Sequence, residues 1–84
     1  MNIQIIESSL VSFFIKSNNR WCHVYLNQHN KKTWLLNIYK KNESIGDGKH
    51  SKNEWLDKYS AIIDGIKWIN GELNEKSILL STAS

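Results

Sequence analysis

The sequence predicts an α+β domain: an antiparallel sheet of three to four strands in ββββα order, packed on one long C-terminal amphipathic helix. Three observations predict it. Two segments, residues 20–27 and 32–40, alternate strictly between two faces and are joined by a polar loop. Further on, Trp55, Tyr59, Ile62, Ile66 and Ile69 recur at helical spacing. Between these regions lies a loop marked by Gly46 and Gly48.

The elements follow in order. Residues 2–7 and 10–16 are rich in β-branched and aromatic side chains and flank Ser8-Ser9, so both read as strands. Asn18-Asn19 is a turn signal, because Asn tolerates positive φ. In the third strand Cys22, Val24 and Leu26 share one face, and Trp21, His23 and Tyr25 the other. In the fourth, Trp34, Leu36 and Ile38 oppose Thr33, Leu35, Asn37 and Tyr39.

The sheet therefore spans residues 2–41. Ser51-Lys52-Asn53-Glu54 has the form of a capping box, which places a helix over about 52–70. Leu56 and Ile63 widen its stripe, and Gly71 is a natural stop. The tail, 72–84, holds Ile78-Leu79-Leu80 as an edge strand or packed arm and is expected to fray at its end.

The helical stripe has only the sheet to bury it. The face of Cys22, Val24, Leu26, Trp34, Leu36 and Ile38 is thus expected to meet the helix. Trp21, His23, Tyr25, Leu35 and Tyr39 are left on an uncovered aromatic face, and such a patch marks a partner or oligomer surface. Trp68 falls off the stripe beside Ala61 and Gly65, so these three are expected either to meet a partner or second copy, or to be covered by the tail.

Size and charge narrow the function classes. The 84 residues make one domain, 1–84, and a 40% hydrophobic share with four Trp argues against wholesale disorder. Cys22 is the one cysteine, so no internal disulfide can form and a reducing compartment is the default. No apolar run nears the roughly 20 residues of a membrane span, and no leader-like segment is present. The expectation is a cytoplasmic chain with no membrane partner. Residues 1–52 hold eight bases and three acids, net +5, whereas 53–84 hold three bases and five acids, net −2. This asymmetry favours an anionic partner on the sheet side.

Catalytic and metal signatures are missing. Cys22 and His23 are adjacent, so in a strand they point to opposite faces. His23, His29 and His50 lack metal-ligand spacing. A toxin-type ribonuclease would need an acid/base pair, for which His23 with Arg20 is the one candidate. Gly46-Asp47-Gly48-Lys49-His50-Ser51 fails the nucleotide-loop pattern, although Lys49 and nearby amides could receive a single phosphate. No cofactor and no enzymatic activity are expected.

Asn19-Arg20-Trp21 opening a strand, the hairpin to Lys40, the Gly-Asp-Gly-Lys loop and Glu54-Trp55-Leu56 early in the helix recur together over residues 18–63. In these features the chain resembles the positive-cofactor-four family of transcriptional coactivators, small dimers that bind single-stranded DNA. The family's loop runs closer to Gly-Lys-Gly-Ile, so Asp47 departs from it. The resemblance implies a sheet-face role for Trp21, Tyr25 and Lys40 and a phosphate role for Lys49.

The functional expectation is a non-enzymatic nucleic-acid-binding module for single strands. Trp21, His23, Tyr25 and Tyr39 would stack bases, and Lys16, Arg20, Lys31, Lys32, Lys40, Lys41 and Lys49 would track phosphates. The alternative is a small protein-binding module, an inhibitor or adaptor of phage or mobile-element type, using the same aromatic face or Trp68.

Overall fold

The computed structural model describes residues 3–51 and 53–79. The helix start expected at Lys52, the Leu80 end of the expected strand or arm, and the fraying expected at residues 81–84 lie outside them.

Five strands form one antiparallel sheet in the order β1-β2-β3-β4-β5. They are β1 (Gln4–Ser9), β2 (Ser12–Lys16), β3 (Arg20–Leu26), β4 (Trp34–Lys40) and the two-residue β5 (Lys49–His50). Helices α1 (Lys58–Ile69) and α2 (Glu75–Leu79) follow. The expected α+β class is thus present, with a fifth strand and a shorter helix. The strongest hairpin falls where alternation placed it, with Arg20 opposite Lys40 and Leu26 opposite Trp34. The first turn lies at Leu10-Val11, because the pairing of Glu7 with Phe13 and Ser9 with Ser12 carries Ser8-Ser9 into β1.

Ser51 and residues 53–57 are not helical. The edge of β4 captures them: Trp55 pairs with Trp34 through two backbone hydrogen bonds, of 2.7 and 2.9 Å. The expected capping box is dismantled accordingly. Ser51 Oγ donates to Ile78 O at 2.6 Å, and the Glu54 carboxylate accepts from Asn27 and Thr33 in the β3–β4 loop. The helix begins at the next available cap, Asp57, whose carboxylate accepts from Ser60 N at 2.9 Å. It ends as expected at Gly71 (φ +79°), where the amide of Gly71 donates to Trp68 O and that of Glu72 to Lys67 O.

One sheet face carries the core. Phe13, Ile15, Cys22, Val24, Leu36 and Ile38 are buried on it, beneath α1. The helix meets them through Ala61, Gly65, Trp68 and Ile69, with Ile62 and Ile66 half-buried. This corrects the expected stripe by about a quarter of a turn. Tyr59, Ile63 and Leu56 stand exposed, while Ala61, Gly65 and Trp68, expected either at a partner surface or under the tail, are core, in one cluster with Ile78 of the tail. The reason is steric. A Cβ at Gly65 would lie 2.9 Å from Cys22 Sγ, so a helix this close to the sheet needs small residues beneath it.

The tail takes the helical form α2 and inserts Ile78 into the core, where it is fully buried. Ser51 and Asn53 both donate to Ile78 O and fix the segment in place.

Candidate functional site

Cross-strand pairing builds the second sheet face in rungs. Ile6, Phe14, His23, Asn37 and His50 form one rung across all five strands. Gln4, Lys16, Trp21 and Tyr39 form the next. Trp21, His23, Tyr25 and Tyr39 therefore do share a face, as alternation predicted, and α1 and Ile78 of α2 belong to the core on the opposite face.

The rings on this face lie on one another. Phe14 stacks on His23 with centroids 4.4 Å apart, and His23 on Tyr25 at 4.8 Å. Trp21 stacks on Tyr39 at 3.8 Å and 6°. Polar atoms fill the gaps. Ser12 Oγ lies 2.7 Å from His23 Nε2, Tyr25 OH donates to Asn37 Oδ1, and His50 Nδ1 sits 3.0 Å from the same oxygen. Burial between rings lowers the His23 pKa and raises that of Tyr25.

Tyr39 is not an open platform. It is 1% exposed, with Trp21 on one side and Gly48 on the other, and its hydroxyl donates to Ile45 O. The glycine-marked loop folds over it through a 3₁₀ turn, Ile45–Asp47, where Asp47 accepts from Ser44 N and Oγ. Trp21 keeps the more accessible position, half-buried at the end of the sheet.

The basic residues divide into groups. Lys16 Nζ stands 5.7 Å from the Trp21 ring centroid, and Lys16, Ser17, Trp21, Lys41 and Glu43 line an open hollow of about 340 Å³. Arg20, Lys40 and Lys49 turn to the helix side, where with Glu43, Trp68 and Glu75 they line a second hollow of about 250 Å³. Arg20 is committed there: Nη1 donates to Trp68 O at 2.7 Å and the guanidinium lies 4.9 Å over the indole. It therefore caps the C-terminus of α1 instead of facing the aromatic surface, and it cannot partner His23 in acid/base chemistry. Lys49 is paired to Glu75 at 2.7 Å, and that bond holds the Glu75 carboxyl below its usual range.

Lys32 lies beyond the start of β4, about 20 Å of strand from Lys40, so it is not part of this end. Lys16, expected to track phosphates, is part of it; its place opposite Trp21 follows from the β2–β3 register.

Cys22 is buried under α1, and burial pushes its thiol up to about 12, so it is inert at neutral pH. Among the described residues no group of three potential ligands could hold a metal ion, and no helix is long and apolar enough to cross a membrane. Comparison with protein-family models, curated proteins and solved structures returns no match.

Proposed function

We propose that the chain is a non-enzymatic module that binds single-stranded nucleic acid at the end of the sheet around Trp21. The observation that supports this most directly is the hollow in which Lys16 and Lys41 flank Trp21 on the open aromatic face. Stacking on an indole tolerates any base, and two flanking ammonium groups suit successive phosphates. Lys40, around the corner in the second hollow, extends the same end, whereas Lys49 there is paired to Glu75. This reading narrows the expected interface from the whole face to one end of it. Tyr39 becomes the backing on which Trp21 rests, and His23 and Tyr25 hold the sheet surface flat.

The test is a fluorescence titration with single-stranded DNA, single-stranded RNA and duplex at several salt concentrations. Lys16→Ala and Lys41→Ala should each flatten the slope of log K against log salt by about 0.7. Lys32→Ala, at the far end, should leave the slope unchanged. Trp21→Ala should weaken binding by about 1–3 kcal/mol. Failure of the parent to bind any strand at low salt would remove the proposal, as would an equal effect of Lys32→Ala.

A second reading, a protein-binding module, is favoured by the exposed apolar row of Leu56, Tyr59 and Ile63 beside and along α1. It forecasts no nucleic-acid affinity and loss of a protein partner on Ile63→Lys.

A further inference from the structure

The sheet has two edges, and they are treated very differently. On the β4 side the edge is occupied. His50 and Lys49 pair with Asn37 and Ile38, Ser51 N donates to Leu36 O, and Trp55 pairs with Trp34. On the other side β1 ends the sheet, and among the described residues nothing pairs with its outer row of amides and carbonyls.

All six residues of β1 are exposed. Ile5 is 50% exposed on the helix side, because α1 lies over β2, β3 and β4. Ile6 is exposed on the aromatic side, and the apolar surface continues into the turn at Val11 and at Leu10, which is 81% exposed. Solitary sheet edges are usually guarded by lysines, prolines or inward charges. β1 has no Lys, Arg or Pro and a single charge, Glu7.

We propose that β1 is a homodimer interface, two copies pairing antiparallel about a two-fold axis perpendicular to the sheet. The strand is suited to its own copy. Opposed residues must share a face, so the axis has to pass through a residue and not between two. Centring on Glu7 would set two carboxylates against each other. Centring on Ile6 avoids this: Ile6 meets its own copy and Glu7 meets Ile5, ahead of the bulge that interrupts the strand between Glu7 and Ser9. The basic ends do not oppose this: Lys16 lies on β2, one strand from the interface, and Lys40 on β4, three strands from it, and antiparallel pairing sends the Lys16 side chains of the two copies to opposite ends of the seam.

This geometry joins two five-stranded sheets into one and keeps both aromatic faces on the same side. A strand pair with a few apolar neighbours buries less than the roughly 1,200 Å² of a standard interface. The dimer is accordingly weak, and its formation depends on concentration.

Sedimentation of the full chain tests this. The parent mass should rise with concentration from 9.8 kDa toward twice that value. Ile6→Lys, at an exposed position, should remain monomeric with an unchanged circular dichroism spectrum. Ile6→Cys should cross-link to its copy on mild oxidation at least about tenfold faster than Ile5→Cys, since only the former faces itself within disulfide reach. A parent that stays at monomer mass up to about 1 mM, with no Ile6→Cys cross-link, overturns the proposal. So does a dimer that survives Ile6→Lys and is lost on Ile63→Lys, which would move the interface to the outer side of α1.

Discussion

Gly65→Ala separates the observed helix orientation from the one that apolar spacing suggests. On an open helix face, Gly to Ala stabilises by about 1 kcal/mol. Here the new Cβ would stand 2.9 Å from Cys22 Sγ and 3.3 Å from Ile15 Cδ1, both fully buried. Neither neighbour has room to withdraw, and overpacking of this kind costs about 1–3 kcal/mol. The balance is a destabilisation of about 0–2 kcal/mol, or several degrees in Tm for a domain of this size. Cys22→Ala removes the nearer obstacle. In that background Gly65→Ala should become neutral or stabilising by up to about 1 kcal/mol, a coupling of about 1–2 kcal/mol across the cycle. Urea unfolding of the four proteins, followed by tryptophan fluorescence, measures it. If Gly65→Ala stabilises equally in both backgrounds, the helix does not approach the sheet through Gly65 and the core assignment fails.

Two further outcomes are expected. Asp57→Ala should remove the helix cap and cost about 1 kcal/mol, whereas Ser51→Ala should leave helix content unchanged and instead loosen the Ile78 contact, seen as faster amide exchange near residue 78. For pH, the His23 pKa is lowered by burial, so the folded state binds fewer protons than the unfolded chain. Its contribution to stability is therefore complete above the unfolded value of about 6.5 and is lost as pH falls through the lower folded value. Thermal melts between about pH 7.5 and 5 should show this loss, and His23→Gln should remove that part of the slope; an unchanged slope would count against the buried ring position.

The sequence by itself determined which strand residues share a face and where the helix stops. Period-two alternation in residues 20–26 and 34–40 separated the Cys22, Val24, Leu36, Ile38 face from the Trp21, His23, Tyr25, Tyr39 face, because neighbouring side chains in a strand have no other choice. The same parity already set Arg20 and Lys40 apart from Trp21, and Gly71 marked the helix end because few other residues accept its φ.

What the tertiary structure alone decided depends on long-range partners. Residues 51–57 carry a good cap signal, yet pairing of Trp55 with Trp34 offers those backbone groups a sheet edge 21 residues away, and the helix starts later. Tyr39 alternates outward like Trp21, yet the glycine loop that follows β4 folds back over it, which strand parity does not register. Hydrophobic spacing pointed α1 toward Ile62 and Ile66, but spacing counts apolar groups and ignores their size. Contact between a helix and a sheet is limited by how near their backbones can come, so the side with Ala61 and Gly65 turned inward and the bulkier Tyr59 and Ile63 were left outside.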